Sequence, residues 1–285
     1  MHELYFIDGT KNIEPEQLNG VEYCNPTFYP KFQEKIIWLK DLLLTYFEEN
    51  KGIVILRVYD GEFYFLKKIV AGNGPRRHYT KALTDKFIQP FKDGCYRVDL
   101  ISVQMNINQL NIYNSIFPDR PVDFPMDIIY GLTANRWLLK TFKNNIALIG
   151  GSEKLQLIKK LMEYQEYRDY IDNDFFLDYI NVPERFSCDN TDLLLKDIGE
   201  QIKNSSARVF LFGIGIAKMA ISWKFKEYKN ALFIDIGCGM SALAGVCGID
   251  RPYFGDWKNF RIKNYDYSAV DPMDFNENNG NVKYL

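Results

Sequence analysis

Asp60 and Glu62 stand two residues apart with Gly61 between them, directly after the apolar run Ile53-Val54-Ile55-Leu56-Arg57-Val58. Two carboxylates turned into one cleft suit Mg²⁺ or Mn²⁺, which take hard oxygen donors together with the oxygens of a bound phosphate. A metal held in this way neutralises a departing nucleoside diphosphate. The same residues also read as an Asp-Gly turn signal followed by a helix-start acid favoured by the helix dipole. Arg57 points from the strand end toward the same cleft, where it can pair with phosphate or orient a carboxylate.

Two further segments carry residues of interest. Val209-Phe210-Leu211-Phe212-Gly213-Ile214-Gly215, running on to Lys218, reads as a strand, a glycine turn and a helix start, where a diphosphate can meet backbone N–H groups. Lys218 takes the place of the third glycine of the dinucleotide fingerprint and reads as a solvated helix residue. Gly213 and Gly215 read equally well as glycines that allow close helix packing. The run Phe233-Ile234-Asp235-Ile236-Gly237-Cys238-Gly239 ends another strand. Asp235 is a candidate for nucleotide or acceptor contact, or a cap for the loop that follows it.

These residues need a scaffold, and the apolar pattern supplies one. Phe32, Ile36, Leu39, Leu43 and Phe47 recur at helical spacing and stop at Glu48-Glu49-Asn50-Lys51-Gly52. Short β-rich runs follow at Ile53–Val58, Tyr96–Val103, Asn145–Ile149, Phe176–Val182, Ala207–Phe212 and Ala231–Ile236. Helical segments such as Pro125–Phe142 and Ser152–Tyr170 separate them. The alternation predicts a single α/β domain with a mostly parallel sheet and helices on both faces. Ligand is then expected at the carboxyl ends of the strands. The core is expected over about 32–262, with 263–285 as a C-terminal tail and 276–281 frayed.

Bulk properties narrow the function classes. The 285 residues are 47% apolar and 25% charged, an ordinary globular mix with little room for extended disorder. Thirty-five basic and thirty-seven acidic side chains give a net charge of −2, without the basic excess of a phosphate-backbone binder, so nucleic acid is not an expected partner. The apolar stretch Val209–Trp223 is too short to cross about 30 Å of hydrocarbon, and Met1-His2-Glu3-Leu4 lacks a basic region leading into an apolar one. A cytoplasmic location without a transmembrane segment is expected. Five scattered cysteines and two histidines do not suggest a zinc site or a disulfide framework.

Read in isolation, Asp235-Ile236-Gly237-Cys238-Gly239 resembles the first motif of S-adenosylmethionine-dependent methyltransferases. Only 46 residues follow Gly239, whereas that fold needs several more βα units of roughly 30 residues each. A second resemblance covers more of the chain. Leu56-Arg57-Val58-Tyr59-Asp60-Gly61-Glu62-Phe63 is similar to the Arg-x-Gly-Asp-Gly-Glu stretch of GT-D type glycosyltransferases, with Tyr59 where that family has glycine. Phe233-Ile234-Asp235-Ile236-Gly237 resembles the family's late Ile-Asp-x-Gly strand end, in the expected order. The resemblance spans roughly 53–253. It implies a Rossmann-like domain and a nucleotide-sugar donor, a UDP-sugar, with a hexose passing to a glycan or glycoprotein acceptor. It also implies Mn²⁺ or Mg²⁺ at Asp60 and Glu62, and donor contacts from Arg57, Gly61, Gly213, Gly215, Asp235, Gly237 and Arg251. Arg251-Pro252-Tyr253 resembles the Arg-x-Tyr that some members carry after the last strand.

Overall fold

A computed structural model describes residues 29–69, 78–104, 107–134, 136–183, 185–246, 257–268, 270 and 282–285. The chain opens with α1 (Tyr29–Glu48), β1 (Ile53–Val58), α2 (Asp60–Leu66), α3 (Asp85–Arg97), β2 (Leu100–Val103), α4 (Ile107–Ile116) and β3 (Phe124–Pro125). It continues through α5 (Asp127–Ala134), α6 (Trp137–Thr141), β4 (Ile146–Gly151), α7 (Ser152–Leu161), α8 (Gln165–Ile171), β5 (Tyr179–Val182) and α9 (Thr191–Asn204). Then come β6 (Val209–Gly213), α10 (Lys218–Ile221), α11 (Phe225–Tyr228), β7 (Leu232–Asp235), α12 (Cys238–Leu243), β8 (Asn259–Arg261) and β9 (Val282–Tyr284). A 3₁₀ turn, Gly215–Ala217, leads into α10.

Seven strands form one sheet in the order β3-β2-β1-β7-β6-β4-β5, with every neighbouring pair parallel. The protein is therefore a Rossmann-like α/β domain. All six residues of β1 are buried, as a strand covered on both faces requires. Ile53 and Ile55 enter one layer with α1, α5, α7 and α12, while Val54, Leu56 and Val58 enter the other with α2, α3, α9 and α10. The short pair β8 and β9 lies outside this sheet, so the final residues Val282–Tyr284 run alongside Asn259–Arg261.

Several boundaries differ from the sequence reading, for local reasons. Tyr96 and Arg97 are the last turn of α3 rather than the start of β2. That helix is opened by Thr84, whose side chain accepts from Phe87 N, and held by the buried stripe Ile88, Phe91 and Cys95 despite Pro90. The segment expected as one helix from Pro125 starts as the strand β3 and is then split, because Arg136 adopts φ 68°. The long first helix ends through Asn50, which takes the left-handed conformation at φ 54°. No helix among the described residues is long and apolar enough to cross a membrane.

Strand connections decide where a crevice opens. The chain leaves β1 and β6 toward the layer of α2 and α10, but leaves β7, which lies between them, toward the layer of α12. Adjacent strands whose connections depart to opposite faces leave a gap at their carboxyl ends. In the layer of α2 and α10, α3 packs closely on α10 at Gly94, where a Cβ would lie 1.7 Å from the carbonyl oxygen of Met219. Gly94→Ala is expected to force α3 and α10 apart and lower stability by about 1–3 kcal/mol, read as a lower denaturation midpoint.

Candidate functional site

The carboxyl ends of β1 and β7 carry a buried chain of four charges. Arg57, the fifth residue of β1, shares the face of Ile53 and Ile55, and its guanidinium lies 4.5 Å from the ring centre of Tyr130 on α5. Its Nη1 also donates to the Tyr130 hydroxyl. Asp235 ends β7 and is wholly shielded from solvent. Its Oδ2 accepts from Arg57 N at 3.1 Å and from Lys218 Nζ at 2.8 Å, while Oδ1 accepts from Gly237 N at 3.0 Å and faces Arg57 Nη2 at 3.4 Å. Arg57 Nε donates to the Asp235 carbonyl oxygen at 2.9 Å. Lys218 Nζ then reaches Glu62 Oε1 at 2.9 Å, closing the series Glu62, Lys218, Asp235, Arg57.

The series passes from one face of the sheet to the other. Glu62 and Lys218 belong to the layer of α2 and α10, Arg57 and Tyr130 to the layer of α5, and Asp235 joins them at the strand ends. Burial works against the charge on Asp235, but the Arg57 and Lys218 cations outweigh it and hold the carboxyl below the usual aspartate range. Burial likewise opposes the Lys218 charge, and the Asp235 and Glu62 carboxylates more than restore it, so its pKa is raised. Two positive and two negative groups leave the cluster with no net charge.

Asp60 and Glu62 do not converge. The residues after β1 form the helix α2 rather than an open turn, and side chains two apart on a helix face different ways. Glu62 turns inward, with Oε2 accepting from Tyr59 N at 3.1 Å in addition to its bond with Lys218. Asp60 stays exposed, and its Oδ1 accepts from Gly61 N at 2.7 Å. A metal chelated by both carboxylates does not fit this arrangement, since Lys218 and the Tyr59 amide already engage both oxygens of Glu62. Among the described residues, no group of three or more His, Cys, Asp or Glu side chains is placed to hold a metal.

The glycines divide into two kinds. A Cβ on Gly237, where φ is +43°, would come within 1.5 Å of Arg57 Nη2, and one on Gly215, at φ +58°, would come within 2.7 Å of His78 Cε1. A Cβ on Gly213 would lie 3.1 and 3.2 Å from Gly237 O and Met240 Cβ. The protein's own groups fill these three spaces, so the glycines serve tight turns and close packing. Gly61 differs, because a Cβ there would meet nothing within 4 Å. Arg251 lies outside the described residues.

Lys218, expected to be solvated, is only 4% exposed and is central to the site. The sequence did hold a signal for it: a lone lysine among Ile214, Ile216, Ala217, Met219, Ala220 and Ile221 is rarely buried unless paired. Tyr130 lay inside an ordinary apolar helix pattern and gave no such sign.

Removing one partner from this cluster strands the others. Asp235→Asn is expected to lower stability by about 3–5 kcal/mol in denaturant unfolding, whereas Asp60→Asn should leave the midpoint near wild type. Because the Asp235 pKa is depressed on folding, its contribution is present above the unfolded aspartate value of about 4 and is lost as pH falls through the lower folded value. The stability gap between wild type and Asp235→Asn should therefore hold through neutral pH and narrow only in acid. Compared with protein-family models, curated proteins and solved structures, the chain matches none of them.

Proposed function

We propose that this chain is a glycosyltransferase that binds a nucleotide-diphosphate sugar, a UDP-sugar, above the carboxyl ends of β1 and β7 and passes its hexose to a glycan or glycoprotein acceptor. One observation carries the reading. Arg57 and Asp235, from the two segments that resemble the GT-D glycosyltransferases, are 178 positions apart in sequence yet bonded to each other at adjacent strand ends. Glu62 of the first segment joins them through Lys218. Three of the residues that the resemblance names, Arg57, Glu62 and Asp235, thus meet at the carboxyl end of a parallel sheet, the end at which ligands bind in such folds, and this supports the reading.

Each residue then has a distinct part. The buried quartet fixes the ends of β1 and β7 and the start of α2. Asp60 presents its carboxylate outward, and the open space beside Gly61 lets a ligand approach the backbone closely. The methyltransferase alternative has less room: the Arg57 guanidinium lies where a side chain on Gly237 would be, and Asp235 is already engaged by Arg57 and Lys218.

A thermal-melt screen with nucleotide sugars and S-adenosylmethionine tests the proposal. A ligand that binds only the folded protein adds about 2.7 kcal/mol at a hundredfold excess over its dissociation constant, and UDP-sugars are expected to give such a rise. A rise with S-adenosylmethionine alone would overturn the reading. For Asp60→Asn, donor hydrolysis or transfer is expected to fall on the order of tenfold or more with an unchanged melting curve, equivalent to about 1.4 kcal/mol of transition-state stabilisation. Full turnover in that variant would remove Asp60 from the donor site.

A further inference from the structure

We infer that Lys218 is the resident cation of this site, seated where a divalent metal joining Glu62 to Asp235 would have to sit, so that the site takes its ligand without a metal on Glu62. The charge arrangement stands by itself; only the identity of the ligand rests on the nucleotide-sugar reading. Lys218 Nζ lies 2.9 Å from Glu62 Oε1 and 2.8 Å from Asp235 Oδ2, both charge-assisted contacts. A magnesium ion bonds carboxylate oxygens at about 2.0–2.1 Å, so an ion bridging the same two oxygens would overlap the ammonium group.

The other oxygens of both carboxylates are also engaged. Glu62 Oε2 accepts from Tyr59 N at 3.1 Å, and Asp235 Oδ1 accepts from Gly237 N at 3.0 Å. A metal would have to expel Lys218, yet Lys218 is flanked by Ala217 and Met219, which are completely buried. Its ammonium would be left without a counter-charge in an apolar layer, a costly state. The charge balance points the same way. Glu62 and Asp235 match Lys218 and Arg57, so a divalent ion added to the intact quartet would leave two uncompensated positive charges under cover.

Titration of Mn²⁺ into the full chain, with the free ion followed by electron paramagnetic resonance, tests this without any donor or turnover. Wild type and Glu62→Gln are expected to bind Mn²⁺ alike. Lys218→Met leaves two buried carboxylates facing each other and is expected to bind Mn²⁺ at least tenfold more tightly than wild type, with a higher melting point in Mn²⁺ than in EDTA. A folded Lys218→Met that binds Mn²⁺ no better than wild type overturns the inference, as does Mn²⁺ bound by wild type and weakened tenfold in Glu62→Gln. If Lys218→Met does not fold, the comparison of wild type with Glu62→Gln decides alone. A UDP-sugar melting shift that is the same in EDTA and in Mn²⁺ supports the inference. A shift that needs Mn²⁺ and disappears in Glu62→Gln overturns it and leaves the nucleotide-sugar reading standing. No shift with any nucleotide sugar removes that reading, and the Mn²⁺ titration still decides the role of Lys218.

Discussion

A single carboxylate, that of Asp235, holds the centre of this protein together at the point where its two middle strands part. Main-chain pairing between β1 and β7 runs only as far as Ile55 and Ile234. Two residues further on, the Arg57 amide lies beyond that pairing, and Asp235 Oδ2 takes its hydrogen bond instead. The side chain thus satisfies a backbone donor that the diverging strand has left, as buried backbone requires. The same group orients the Arg57 guanidinium, receives Lys218 from beyond β6 and ties down the Gly237 loop. Gly237 in turn needs its missing side chain, since Arg57 occupies that space.

Stability alone is a poor account of such a cluster. Taking four charged groups out of water costs several kcal/mol for each ion, and well-packed apolar residues often serve a core equally well. Here the cluster lies at the carboxyl end of the sheet, and its neighbours on the helices behind it are apolar. A preorganised, neutral and shielded group of dipoles and charges is the kind of floor that keeps a reaction site from rearranging as charge develops above it. This supports a functional reason for the quartet. It also separates two roles that the Asp-x-Glu spacing had merged, because Glu62 belongs to the floor while Asp60 faces outward.

The architecture was legible because its signal is the coarse pattern of the core. Ile53–Val58 and the later β-rich runs could be buried on both faces only in a parallel sheet between helices, and the sheet has that form. Edges were harder, since single residues set them: Arg136 breaks a helix and Thr84 starts one that Tyr96 and Arg97 complete. In the site, the positions of Arg57, Glu62 and Asp235 at or just after strand ends mark them in the sequence, but nothing there pairs them with Lys218 or Tyr130. Which way a side chain turns depends on whether α2 begins at Asp60 or a turn intervenes, and one residue decides the faces of both carboxylates. Lys218 reads as solvated because a lysine near a helix start usually reaches water, and of its two anionic partners only Asp235, on the next strand, is near in sequence, while Glu62 comes from the other end of the domain.

The pairing of β1 with β7 also shapes how the chain can reach this fold. Ile53 lies beside Leu232 in the middle of the sheet, so the central strands meet only after nearly the whole intervening chain exists. Closing so long a loop slows folding, and a chain growing from the ribosome holds β1 with one side unpaired until β7 emerges. Over that interval Arg57 has no Asp235 to bond, which keeps a positive charge at the end of an otherwise apolar strand. A charge on an unpaired strand disfavours pairing with the strand of another chain, and Arg57 carries that charge before it becomes part of the finished interior.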